Sequence, residues 1–468
     1  MSGSNSPSNV GDVDGRVEAA CRAIESDAKV PAFVFSHRDV WELELERIFG
    51  RSWVFVGHAS EIPEPGDYRL RYIGTDPYIF VRDEGGTIRV LFNSCRHRGT
   101  EVCRSEKGNT SHFRCPYHGW TFSNDGSLTG VPFKETFRED CFDLEEEDVD
   151  LFEPPQVDSY AGFYFACLDA GTDPFDEWIG DFEWYLDVNF DIATDGWEVV
   201  GDPHRYELDT NWKLGAENFA GDTYHHPSTH HSVLTEAYGF GQEESLHETF
   251  SGGMSRLVAC EGKHGADFIT GPPDELLDFP ADVIDASGLD DEQRAFLEVA
   301  QKFVGNLFPN FSFLTMDATR NGEEFRSAMS VRKWRPIGPN TTEIWNWILV
   351  PTGVSDEYRE EAYRAMHATF SPSGNFEPDD YAVWRSIPDA AESITARKHD
   401  LETYRNNFQH LGMIDDAEYA DRLNESEWPG EVDAAPSSDM AGHTVYSGWA
   451  EMMSGSGSRG RPEEADER

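Results

Sequence analysis

Residues 93–120 read NSCRHRGTEVCRSEKGNTSHFRCPYHGW, and in them Cys95, His97, Cys115 and His118 form the pattern C-x-H, seventeen residues, C-x-x-H. Two thiolates and two imidazoles suit zinc chemically. The spacing argues against it, because structural zinc sites usually draw their cysteines as one close pair and their histidines as another, whereas each loop here offers one of each. Two loops that each bring one sulfur and one nitrogen suit a two-iron cluster, with both cysteines on one iron and both histidines on the other. Such loops must face each other, as hairpin tips of a small β domain can.

The flanking sequence predicts that domain. RSWVFVGHA, DYRLRYIG, DPYIFVRD and TIRVLFNS precede the loops and AGFYFACL follows them. All are short β-branched or aromatic runs cut by Gly, Pro and Asp turns. They make a small antiparallel β domain over residues 50–170. Before it, residues 38–49 (RDVWELELERIF) carry apolar side chains at helical spacing, so 16–49 reads as a helical segment packing with the larger domain that begins at residue 171, and the polar residues 1–15 as disordered. After residue 170, strand-like FSFLTMDA, FRSAMSVRKWRP and TEIWNWILVP alternate irregularly with helical DDEQRAFLEVAQKFVGN and SDEYREEAYRAMHATF. The class is therefore α+β, with a larger second domain over 171–453 whose antiparallel sheet is covered by helices. The tail 454–468, GSGSRGRPEEADER from residue 455, has almost nothing apolar and reads as disordered.

Composition narrows the partners. With 88 acidic against 38 basic residues, of which eight are lysine, the net charge of −50 excludes nucleic acid and anionic membranes. Acidity spread along the whole chain suits solubility at high salt, where screening shortens self-repulsion, and so points to a halophile. No run approaches the ~20 apolar residues that span a bilayer, and the N-terminus lacks signal-peptide regions, so a cytoplasmic location is expected. Cys21, Cys103, Cys141, Cys167 and Cys260 read as free thiols rather than a disulfide framework.

A second cluster lies in NWKLGAENFAGDTYHHPSTHHS, residues 211–232, which concentrates four histidines beside Glu217, Asn218 and Asp222. On one continuous helix His225 and His230 would point about 140° apart. Pro227 disfavours helical geometry at His226, so a helix running to His225 is expected to stop there and let the chain turn. On spacing alone, His226 with His230 is an equally plausible metal pair. Two histidines still need a carboxylate to complete the facial triad of a non-haem Fe(II) oxygenase, and FSPSGNFEPDDYAVW, residues 370–384, offers Asp379 and Asp380.

The first motif, with GW after its last histidine, resembles the Rieske [2Fe–2S] domain. The two motifs together resemble the Rieske non-haem iron ring-hydroxylating oxygenase α subunits, with ENFAGDTYH-x4-H nearest to the naphthalene and phenylpropionate dioxygenase branch. That resemblance implies Cys95, His97, Cys115 and His118 as cluster ligands, and His225, His230 and Asp380 as ligands of a mononuclear Fe(II). It implies that Asp222 joins His118 of one chain to His225 of its neighbour in a homotrimeric ring, with Asn218 beside it. Phe219, Phe370 and Phe376 fall where the family lines its substrate pocket. The implied activity is cis-dihydroxylation of an aromatic ring with O2 and NAD(P)H-derived electrons, delivered by a reductase and a ferredoxin, with a small β subunit as an accompanying component. Monooxygenation or demethylation of a quaternary ammonium or methylated substrate is the alternative, because pocket aromatics can also cradle a cation. A pure electron carrier with no oxygenase iron is the third reading.

Overall fold

The computed structural model describes residues 10–137, 149–236, 239, 255–270, 277, 279–399, 401–404, 428–435 and 437–454. Residues 1–9, Cys141 and the tail from 455 lie outside them.

Around the two cysteine–histidine loops, three small antiparallel sheets form. One orders Ile88–Phe92, Asp76–Arg82, Asp67–Ile73 and Lys107–Asn109; a second joins His112–Arg114, Thr121–Ser123 and Leu128–Gly130; a third joins Gln156–Tyr160, Phe163–Cys167 and Val54–His58. A core of its own, including Ile79, Val102, Phe113, Trp120 and Phe122, encloses Cys95 and Cys115.

The second half is built on a nine-stranded antiparallel sheet. Its order runs from Trp197–Val199 through Thr341–Pro351, Phe325–Gly338, Phe311–Thr319, Ala300–Leu307, His264–Thr270 and Ser255–Cys260 to Glu431–Asp433, with His204–Leu208 also paired to Thr341–Pro351. The helices Trp212–Gly221 and Met440–Met453 pack together against this sheet. The α+β architecture with an antiparallel sheet and helical cover is the one expected.

Two expectations need correction. Residues 10–15 are not disordered: they begin the helix Val10–Asp27, because Val13, Val17, Ala20, Cys21 and Ile24 keep a helical period and are buried or packed on the core. The segment 290–306 is not one helix. The helix ends at Leu297, and Ala300–Leu307 is a strand between His264–Thr270 and Phe311–Thr319. Its apolar residues suit either period, and pairing on both sides decides for the strand.

Beyond the core around the loops, the rest of the first half shares one core with the second. Phe55 packs on Phe311 at 4.9 Å and on Trp347 at 5.1 Å. Lys333, on the long strand of the second half, donates to the carbonyls of Phe55, at 2.6 Å, and Tyr72 in the first half. Burial holds its pKa well below the ordinary lysine value.

Glu44 ties the N-terminal helices to the rest. Its carboxylate accepts from Lys213 Nζ at 2.5 Å, Trp449 Nε1 at 2.7 Å and Trp212 Nε1 at 2.9 Å, all buried. Deleting one partner of such a pair strands the other charge. Glu44→Ala is therefore expected to destabilise the chain by about 3–5 kcal/mol in chemical denaturation, far more than an exposed Glu→Ala control.

Candidate metal centres

The two cluster loops are closed in the same way. Cys95 N–H donates to Thr100 O at 2.9 Å and Gly99 N–H to Cys95 O at 2.8 Å; Cys115 N–H donates to Trp120 O at 2.8 Å and Gly119 N–H to Cys115 O at 3.0 Å. Gly99 (φ 74°) and Gly119 (φ 76°) both turn left-handed, a conformation that costs glycine little. Asn93 pins the first loop, accepting from Val102 N–H and Cys103 N–H and donating to Cys103 O. The result brings the His97 and His118 rings to 4.5 Å with both thiols buried beneath. His97 lies flat on Trp120 at 5.0 Å, and its Nδ1 is buried with no hydrogen bond among the described residues. A lone pair left unmatched in this way suits a metal ligand. His118 and its neighbour Tyr117, which is 59% exposed, face outward.

In the second centre the helix stops earlier than expected. It ends at Gly221, whose φ of +145° and contact with Ala441 leave no room for a side chain: an added Cβ would lie 2.8 Å from Ala441 Cβ. Asp222 follows in a non-helical conformation, and a 3-10 turn Thr223–His225 carries the first histidine. Pro227 does not end a helix; it sits in the first turn of the short helix His226–Thr229, with His226 itself helical, where proline lacks nothing the helix needs. His230 follows that turn.

The detour makes the rings converge. His225 Nε2 lies 3.1 Å from His230 Nε2, and Asp380 Oδ1 lies 3.6 and 3.2 Å from them. Two nitrogens about 2.1 Å from one ion and at right angles lie about 3.0 Å apart. Asp380 Oδ1 is buried without a hydrogen-bond partner, as a ligand oxygen would be. These three are the one group of at least three such side chains, among the described residues, whose donor atoms gather within 4.8 Å. Asp379 is more exposed and reaches only His230 Nδ1, at 3.7 Å. The His226 ring lies 6.0 Å from His230, against 4.9 Å for His225.

Neighbouring groups aim the ligands. Asp222 Oδ2 lies 3.1 Å from His225 Nδ1; burial alone would lower the pKa of His225, but the carboxylates of Asp222 and Asp380 outweigh it and raise it. Asn218 Nδ2 stands 3.4 Å from the same ring, and Phe376 packs on His230 at 4.8 Å. Glu377, one turn before Asp380 on the helix Glu377–Ala391, pairs with Arg332 inside the protein. That buried pair anchors the helix start that presents Asp380.

A cavity of about 40 Å3 borders the triad, with Phe219 and Phe370 in its wall and the Arg332 guanidinium between their rings. Phe376 is not in that wall; its ring lies on His230 and Phe370. A second cavity of about 240 Å3 shares Asn218, Asp222, His225 and Asp380 and adds Phe35, Leu214 and Trp384. Sequence reasoning missed Asp267, Lys302 and Arg332 in the first cavity. The available signal was charge in otherwise apolar strands.

Comparison with known proteins places these centres. Residues 52–151 match the Rieske [2Fe-2S] domain, and 194–411 match the ring hydroxylating alpha subunit catalytic domain. The chain is 38% identical to the N,N-dimethyl phenylurea N-demethylase subunit alpha of Sphingobium sp. (strain YBL2), covering 80% of this chain and 82% of that one. It belongs to the ring-hydroxylating oxygenase α subunits. It is also 33% identical to the chlorobenzene dioxygenase subunit alpha of Cupriavidus sp. (strain PS12), over 90% of both chains. Naphthalene 1,2-dioxygenase from Rhodococcus sp., solved with indole, shares the fold at a TM-score of 0.85 and 34% identity, covering 96% of this chain and 99% of that one. The α subunit is therefore an oxidoreductase that incorporates O2, using a Rieske cluster and a mononuclear iron. No helix among the described residues is long and apolar enough to cross a membrane.

Gly221→Ala tests the helix break. The added methyl meets Ala441 and Leu257, so the variant is expected to lose about 1–3 kcal/mol of stability and a large share of the mononuclear iron. Metal analysis beside the cluster's visible spectrum checks it, since the spectrum should persist.

Proposed function

We propose that this chain is the terminal oxygenase of a multicomponent system that cis-dihydroxylates an aromatic ring. His225, His230 and Asp380 hold the iron, and Cys95, Cys115, His97 and His118 hold the cluster. The observation that carries the reading is the convergence of two imidazole nitrogens and one buried carboxylate oxygen at the spacing of a facial triad. Relatives named as chlorobenzene and naphthalene dioxygenases support ring dihydroxylation as the reaction.

The bound iron supplies the O2 chemistry. The protein's task is to fix the ligands, keep the site dry and admit electrons. Asp222 accepts from His225 Nδ1–H and so holds that ring in the tautomer whose Nε2 lone pair faces the iron. Phe376 restrains the orientation of the His230 ring by packing on it. Asp222 is one-third exposed and His118 faces solvent, which suits a relay in which His118 of one chain meets Asp222 of the next around a trimeric ring. A ferredoxin or NAD(P)H-dependent reductase feeds the cluster, and a small β subunit accompanies the α ring.

The relative named as an N-demethylase supports a second reading, oxidative removal of an N-methyl group. Product analysis under labelled O2 separates the two: a cis-dihydrodiol carrying two labelled oxygens is expected, and formaldehyde release in its place would overturn dihydroxylation. Asp380→Ala and His225→Ala are each expected to remove one iron per chain and abolish turnover. Sulfide content and the cluster spectrum should be unchanged; unchanged iron in both variants would refute the ligand assignment.

A further inference from the structure

The floor of the cavity beside the iron ligands is a sheet, and its register leaves one polar side chain unmatched. Asp267 stands opposite Val304, and Val304 opposite Leu314, so these three share a face; Lys302, two residues before Val304, lies on that face too. Lys302 is paired in register with Ile269, which makes it a diagonal neighbour of Asp267 rather than a direct one. Asp267 satisfies its carboxylate elsewhere, accepting from Thr223 Oγ1 and from Ser255 Oγ at 2.6 Å. The amine of Lys302 feels Asp267 and Asp380 through space, yet among the described residues it makes no hydrogen bond or ion pair. The side chain is partly buried and lines the cavity.

A partly buried donor that lines a cavity and has no protein acceptor among the described residues can serve a ligand that brings one. The other lining groups say which kind. Arg332 is already paired with Glu377, and its guanidinium is covered by Phe219 and Phe370. Counted at formal charge, the carboxylates of Asp222, Asp267 and Asp380 would be matched by the Lys302 ammonium and the divalent iron that the triad would hold. A further anion would leave them unbalanced, whereas an uncharged carbonyl would not. At about 40 Å3 the cavity is smaller than the ~150 Å3 that accepts benzene. In this cavity a ring is therefore seated only as side chains turn aside, and Lys302 has the longest flexible stem of those present.

We infer that Lys302 is a specificity-determining residue that donates a hydrogen bond to an uncharged carbonyl on the substrate, so that this α subunit selects aromatic amides, ureas or ketones over plain hydrocarbons. The inference rests on the reading of this cavity as the substrate site, and it holds whether the ring is dihydroxylated or a methyl group is removed.

Direct binding to the iron-loaded holoenzyme, measured anaerobically by titration calorimetry, tests it with acetanilide, propylbenzene and benzoate as probes. Wild type is expected to bind acetanilide at least about tenfold more tightly than either other probe. Lys302→Met should cut acetanilide affinity about tenfold more than propylbenzene affinity, and Lys302→Gln, which keeps an N–H donor, should restore part of the difference. Equal binding of acetanilide and propylbenzene by wild type, tighter binding of benzoate, or equal losses for all probes in Lys302→Met would each overturn the inference. The cluster spectrum and melting temperature of both variants show whether the fold survives; should Lys302→Met not fold, the Lys302→Gln comparison and the wild-type ranking decide. Because binding is read without turnover, failure of the dihydroxylation reading leaves this outcome separately legible.

Discussion

Two imidazoles five residues apart cannot meet on one helix, since they project about 140° away from each other. Everything at the iron site answers that constraint. Gly221 ends the helix with a backbone angle of +145°, Asp222 leads the chain out, and two short turns bring His225 and His230 back to 3.1 Å. The break is held open from outside: the helix Met440–Met453 closes against Gly221 through Ala441. The third donor arrives from far along the chain, on a helix whose first turn is anchored by Glu377 to Arg332. The site is local in sequence only for its histidines, and its geometry belongs to the whole second domain.

That division explains what could be read in advance. The cluster loops were legible because four cysteine and histidine side chains on two short loops leave their spacing in the sequence, although only the second loop is a hairpin tip, between His112–Arg114 and Thr121–Ser123. The histidine pair and an acid at 379 or 380 were visible as residue types, but choosing His225 over His226, or Asp380 over Asp379, needed family resemblance at the level of sequence. The helix end was misplaced by four residues because Pro227 is the louder signal, while Gly221 stops the helix through a contact with Ala441, some 220 residues away. Residues 300–306 read as helix because Val299 and Phe303, four apart, satisfy both periods, and strand neighbours on either side settled the matter. With that strand went Lys302 and Val304, and so the sheet floor of the cavity was invisible. Arg332 was hidden differently, as one cation in a strand where Lys333 and Arg335 point to other tasks.

The two halves of the chain are not beads on a linker. Phe55 and Phe163 of the first half pack with Phe311 of the second, and Lys333 and Arg335 reach across to carbonyls on the other side. Free lysines in so acidic a chain are few, and one of eight is spent as an internal strut between domains. A seam this apolar and this hydrogen-bonded resists hinge motion. The exposed His118 therefore stands at a fixed offset from the enclosed triad of the same chain.

Charge is distributed on two levels in this protein. The surface carries the bulk of an excess of fifty negative charges, and there dissolved ions compete with every pairing. Arg332 with Glu377, and Lys213 with Glu44, are each nearly closed to solvent at both partners. Mobile ions cannot enter to shield them, so their attraction is nearly independent of ionic strength. The pairs that present Asp380 and brace the helix Trp212–Gly221 ahead of the histidines thus work as an internal electrostatic scaffold, indifferent to the medium in which the acidic exterior is immersed.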